Sequence, residues 1–183
     1  MSTMELLEQR SRGTGLAVTG VLGFAIAISL ASQVSIPLPG TPVPLTLQPM
    51  FVVLAGLMLG PRLGALAVGL WVMAGAMGLP VFTPGGAPGL ARLVGATGGY
   101  IVAAPAAAFA VGMLATRGAG FRGRLVAALV GMLVIYIGGM AQLAILTGSL
   151  SFAAVAGALP FAAADAVKAV IAATVARTPL AGR

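Results

Sequence analysis

The chain has 183 residues, of which 60% are hydrophobic and 7% charged, and its mean hydropathy is +1.10. A soluble domain carries roughly a quarter charged residues and a disordered one is poor in apolar residues, so the composition excludes both and predicts one polytopic domain in a lipid bilayer. With no cysteine and no histidine, there is no disulfide, no thiolate or imidazole metal site and no haem ligation by histidine.

The net charge of +7 lies at the ends of apolar runs. That pattern follows the positive-inside rule and does not form a nucleic-acid face. Arg12 and Arg62 are separated by 49 uncharged residues, Arg62 and Arg92 by 29, and Arg92 and Arg117 by 24; Leu125–Ala164 adds 40 more. At about 20 residues per spanning helix, the gaps predict an all-α bundle of six transmembrane helices. Their expected spans are about 15–33, 48–60, 62–79, 97–116, 124–147 and 157–177, after a short N-terminal segment 1–14.

The first helix carries Gly20, Gly23, Ala27 and Ala31 on one stripe. The spacing Ala27-x-x-x-Ala31 lets a second helix approach closely, within the bundle or from another subunit. A Pro-rich segment, Ile36–Pro49, follows. The second helix is short: Gln48-Pro49 opens it and Gly60-Pro61 closes it, leaving about 18 Å of helix against a hydrocarbon core of roughly 30 Å. The irregular segment before it supplies the missing length. Irregular backbone at that depth lines a cavity or is buried by protein; a surface loop without a role is the alternative. Thr46 and Gln48 lie at this place, each a weak signal.

The third and fourth helices are joined by Leu79–Gly95, which holds Gly85-Gly86, Gly89, three prolines and Arg92. Arg92 either folds over the mouth of the bundle or snorkels at the interface. Tyr100 opens the fourth helix on the same side, as a ligand contact or as an aromatic-belt anchor. In the last helix, Asp165 and Lys168 are three residues apart and share a face. Ionisable groups are costly in hydrocarbon and mark a ligand site or pathway, unless the two form a plain ion pair. Together with Arg92 they would make a site of net charge +1, which suits a small ligand with one carboxylate and a neutral polar head.

With six passes, Arg10, Arg12, Arg62, Arg117, Arg122, Arg124, Arg177 and Arg183 fall on one side, which is then cytoplasmic with both termini. Lys168, the only lysine, follows Ala-Asp-Ala-Val and not a Gly-rich loop, so no Walker A motif binds ATP. Asp165 is the only aspartate, which excludes a two-aspartate intramembrane protease. A hydrolase built on Ser151 and Lys168 lacks any group to orient the serine. The chain is therefore expected to be no enzyme and to carry no cofactor or metal.

Several motifs bear a resemblance. Pro49-x-Phe51, then Gly75-Ala-x-Gly78-Leu79-Pro80-Val81-Phe82 with Gly85-Gly86, then Gly95-x-Thr97-Gly98-Gly99-Tyr100, and finally Asp165-x-x-Lys168 resemble the BioY family over Leu16–Val175. Those proteins are the biotin-binding S components of energy-coupling factor (ECF) transporters. The resemblance implies an S-component-like bundle with a cavity open to the outside. It implies that Arg92, Tyr100, Asp165 and Lys168, with Gln48, contact biotin. Ala27 and Ala31 would dock a transmembrane coupling subunit that joins two cytoplasmic ATPases, and these partners would use the ATP. The place is the cytoplasmic (inner) membrane of a prokaryotic cell. An S component for another small carboxylate vitamin, or a solitary biotin carrier, are the alternatives. One departure is Ala96, where the family usually has proline, and it is expected to loosen the start of the fourth helix.

Overall fold

A computed structural model describes residues 3–115 and 120–176, with side chains from Gly13 onward. Arg117, Arg177 and Arg183, and the side chains of Arg10 and Arg12, lie outside the described residues. The first helix, α1, runs Thr3–Gln33. It begins well before residue 15 because Glu5, Leu6, Leu7, Glu8, Gln9 and Arg10 are all good helix formers. A short antiparallel hairpin follows, with β1 (Ser35–Ile36) paired to β2 (Leu45–Thr46) in the register Ser35 to Thr46 and Ile36 to Leu45. Four prolines fill its connection and keep it from becoming helix.

The next element, α2, covers Gln48–Ala76 and breaks at Gly60, whose φ of 79° lies in the left-handed region. Pro61 then starts a new first turn, where its missing N–H costs nothing. The chain reverses there. A methyl on Gly64 would lie 2.9 Å from the Ala55 carbonyl oxygen, whereas nine residues of straight helix would separate the two by roughly 13 Å. Residues 48–59 and 61–76 therefore form two passes lying side by side.

A five-residue helix, α3 (Leu90–Val94), sits in the outer loop before α4 (Gly98–Leu114) and α5 (Phe121–Thr147). The end of the chain differs from the single helix expected over 157–177. Gly148 in the left-handed conformation stops α5, the Ser149 hydroxyl accepts from the Phe152 N–H, and α6 (Leu150–Gly157) begins. A 45° bend at Ala158 leads into α7, Leu159–Val175. Pro160 contributes to the bend, since it has no N–H to bond back to the Ala156 carbonyl and its ring crowds that oxygen, and it sits in the first turn of the new helix.

Among the described residues, Gly13–Gln33, α2 and α5 are each long and apolar enough to cross a membrane, and the bent pair α6–α7 makes a fourth span. The reversal at Gly60 divides α2, and α4 packs between α2 and α5, so the bundle has six helical passes. Leu22, Ile26, Val102, Leu133, Ile137 and Val167 are exposed around its outside, as lipid contact requires.

The two ends of the bundle are recognisable from their contacts. Gly20 meets Leu59, Gly112 meets Pro61, and the Arg124 Nε–H donates to the Ala173 carbonyl over 2.8 Å, all at one end. Arg62 and Arg122 lie exposed at that end. The hairpin, α3 and the bend at Ala158 lie at the other end, together with Ser32 and Gln48.

Candidate functional site

A cavity opens at the hairpin end between α2, α4, α5 and α7. Its volume is about 60 Å³, well under the roughly 300–1,000 Å³ of small-molecule sites, so a ligand must widen it on entry. The irregular segment expected to line a cavity does so, because Val43, Pro44, Leu45 and Thr46 form one wall. Gln48, Arg92, Tyr100, Asp165 and Lys168, from four different elements of the chain, all reach the same cavity. Ile101, Ile135 and Phe161 supply apolar surface beside them.

Asp165 and Lys168 are buried, 5% and 6% exposed, so neither charge is left to bulk water. The Lys168 Nζ donates to Asp165 Oδ1 over 2.6 Å and to the Thr46 carbonyl over 2.6 Å. The pair is therefore tied across the cavity to the hairpin as well as to itself. The Tyr136 hydroxyl donates to Asp165 Oδ2 over 2.5 Å. Each carboxylate oxygen thus has one strong donor and retains lone-pair capacity. Such charge-assisted bonds offset part of the desolvation that burial imposes.

Arg92 sits half-buried on α3 and donates from Nη2 to the Thr83 carbonyl. Its Nε is buried and has no hydrogen-bond partner. A methyl on Gly86 would collide with the guanidinium, so the absence of a side chain there makes room for it. Burial pulls the Arg92 pKa below its ordinary value by stripping water from the charge. The group stays charged nonetheless, because guanidinium starts so far above neutrality. A guanidinium that lines a cavity and still has an unpaired donor is a place for an anionic oxygen.

Tyr100 is shared between the cavity and the bundle. Its ring lines the cavity, but its hydroxyl donates to the Gly157 carbonyl over 2.8 Å, bracing α4 against the end of α6. The residue missed from the sequence is Tyr136. The available signal was its depth: an interfacial anchor belongs at the end of a helix, whereas Tyr136 is in the middle of α5. Ser151 is exposed on α6, 3.0 Å from the Ser149 hydroxyl, while Lys168 is buried in the cavity, so the structure does not pair them.

The outer loop is pinned over the mouth by its own motif. The Trp71 Nε1–H donates to the Val81 carbonyl over 3.0 Å, and the Phe82 ring stands edge-on to Trp71 with centroids 5.1 Å apart. Gln33 Nε2 donates to the Phe82 carbonyl over 3.1 Å. Ala96 was expected to loosen the start of α4, yet Gln142 Nε2 donates to Leu93 O at 2.9 Å and to Gly95 O at 2.7 Å and clamps the approach to that helix.

At the other end of α1, Ala27 lines an apolar groove with Leu16, Gly20, Gly23, Leu54 and Met58. Ala31 does not belong to this surface. It is 5% exposed and faces into the bundle, one position before the wholly buried Ser32. The small-residue spacing serves internal packing at Ala31 and open surface at Ala27.

The comparisons with known proteins agree with this geometry. A family profile described as the BioY family matches residues 7–181. A protein of Thermotoga maritima described as "Biotin transporter BioY" is 40% identical over 155 residues, 84% of this chain and 89% of the relative. A "Probable biotin transporter BioY" of Pyrococcus horikoshii is 45% identical over 125 residues, 68% of this chain and 72% of the relative. The crystal structure of the S-component for biotin from an ECF-type ABC transporter superposes with a TM-score of 0.79 at 26% identity, covering 97% of this chain and 93% of that one. Because the profile, the relatives and the solved bundle each extend over most of the chain, this protein belongs to the BioY family.

Proposed function

We propose that this chain is the biotin-binding S component of an ECF transporter, acting in uptake across the cytoplasmic membrane with both termini on the cytoplasmic side. The names of its relatives support biotin as the ligand. One observation carries the reading: a single cavity is lined by the Arg92 guanidinium, whose Nε has no partner, and by a hydrogen-bonding cluster of Tyr136, Asp165 and Lys168. Biotin has a carboxylate for the first, a neutral ureido ring for the second and an apolar thioether body between. Arg92 receives the carboxylate. Asp165 accepts a ureido N–H through a free lone pair, and Lys168 has a third N–H for the ureido oxygen. Tyr100 contributes its ring face, and Gln48 a polar edge beside the hairpin.

The chain performs no chemistry of its own and needs no cofactor or metal. A transmembrane coupling subunit and two cytoplasmic ATPases drive inward release, and the apolar groove at Ala27 is the surface that meets the coupling subunit. The test is equilibrium binding of biotin to the detergent-purified chain alone, with thiamine and riboflavin as competitors. Tight binding that neither competitor relieves is expected. Absence of binding in a folded sample would transfer the site to another small carboxylate. Replacing Ala27 with Leu should stop uptake in cells holding the full transporter while leaving binding intact; uptake that persists would move the docking surface elsewhere.

A further inference from the structure

Ser32 is wholly buried, and its hydroxyl lies 2.8 Å from the Ile28 carbonyl oxygen and 3.3 Å from Gln48 Oε1. A hydroxyl carries one proton. The carbonyl one helical turn back is both nearer and unable to donate, so the proton goes to Ile28 O. Towards Gln48 the Ser32 oxygen then offers only lone pairs. A carboxamide presents an oxygen and an NH2 of nearly equal shape, and which one faces a neighbour follows from what that neighbour needs. With the proton on Ile28 O, Oε1 on Ser32 would set two acceptors face to face; turning the amide over puts its NH2 on Ser32 and its Oε1 toward the cavity that Gln48 lines, and satisfies both. Gln48 makes no other hydrogen bond among the described residues.

We propose that Ser32 is a positioning residue that orients the Gln48 carboxamide so that its oxygen, and not its NH2, accepts an N–H of the ligand. The inference rests on the biotin reading and extends it. A ureido ring has two N–H donors, and Asp165 is the acceptor for one of them. Thr46 O and Thr83 O each already accept from a cation, Lys168 and Arg92, and so attract a neutral N–H less than a side-chain oxygen with no donor does. Gln48 Oε1 supplies the second acceptor. The pair Ser32–Gln48 thus selects a ligand with two adjacent N–H groups over one in which either is replaced by an acceptor.

The experiment compares biotin with its two cyclic-carbamate analogues, in which one or the other ureido N–H is a ring oxygen. The wild-type chain should bind each carbamate at least about tenfold more weakly than biotin, the loss expected for one hydrogen bond and a left-over acceptor. In Gln48→Met, one of the two carbamates should bind as well as biotin while the other keeps its penalty. In Ser32→Ala the same ratio should fall towards one, because the freed amide rotates to offer its NH2 to the ring oxygen. A purely structural role would weaken all three ligands by one factor in both variants, and that result overturns the inference. Wild-type protein that binds biotin and both carbamates equally also overturns it. Folded wild-type protein that binds no biotin overturns the functional reading itself, and this inference with it.

Discussion

The two halves of the bundle hold together by different physics. At the end bearing the hairpin, side chains are joined by hydrogen bonds: Lys168 to Asp165 and Thr46, Tyr136 to Asp165, Tyr100 to Gly157, Gln142 to the approach of α4. At the opposite end there is mostly contact between small residues. A methyl on Gly56 would come 2.8 Å from Val111 Cβ, and one on Gly112 would strike Pro61, so backbones approach where side chains are missing. Val53, Val111, Ala127, Ala128 and Ala172 are wholly buried there. Lipid tails are as apolar as these side chains, so only close packing favours their association. The polar half holds a space open because its bonds are directional, and the apolar half fills space because its attractions are not. A ligand site belongs in the first and a rigid base in the second.

The strongest way to break this contrast is Lys168→Met. It leaves the Asp165 carboxylate buried with one neutral donor, and breaking a buried pair costs about 3–5 kcal/mol of stability. Thermal unfolding in detergent should register the loss, and ligand binding should vanish. The double variant Asp165→Asn/Lys168→Met should regain most of the stability without regaining binding. A single variant as stable as wild type would mean that the pair does not hold the outer half. In the apolar half, Gly56→Val should push residues 48–59 away from α4 and destabilise by about 1–3 kcal/mol through overpacking. Ligand affinity of the folded fraction should stay the same; a parallel loss of affinity would show that the two halves are coupled.

Tyr136→Phe sharpens the comparison within the polar half. Removing one donor to a charged acceptor should weaken biotin binding by about 1.5 kcal/mol, roughly tenfold, as titration would show. Unaltered affinity would reduce Tyr136 to a wall of the cavity. The smallest effect is expected from Trp71→Phe, which keeps an aromatic ring beside Phe82 but removes the donor to Val81 O. A loss of about 1 kcal/mol in stability should accompany faster hydrogen exchange in the outer loop. Unchanged exchange would assign the pinning to Gln33 and the ring contact alone.

Some of this was legible in the chain. The short second helix could be read from Gly60-Pro61, because a residue free to adopt positive φ followed by one without an N–H leaves few other conformations. Asp165 and Lys168 stood out because charge is rare in a membrane helix, and Arg92 because it was the sole basic residue on its side. Tyr136 was passed over because a tyrosine in an apolar run carries no local mark of what its hydroxyl meets. The bond from the Tyr100 hydroxyl to the Gly157 carbonyl was not legible, because the two residues are 57 positions apart. The α6–α7 bend was hidden for a related reason: Pro160 permits either a first turn or a break, and packing decides which.

By itself, the sequence determined the bilayer as solvent, the number of passes and the few ionisable residues placed among them. These follow from hydropathy, helix rise and charge, which act over a few consecutive residues. The tertiary structure alone decided which polar groups meet: that Lys168 reaches the hairpin, that Tyr136 completes the carboxylate, that Ala31 turns inward while Ala27 stays open, and that Ser32 lies behind Gln48. Hydrogen bonds reach about 3 Å and depend on direction, so their partners are settled only once helices distant in the chain have packed side by side.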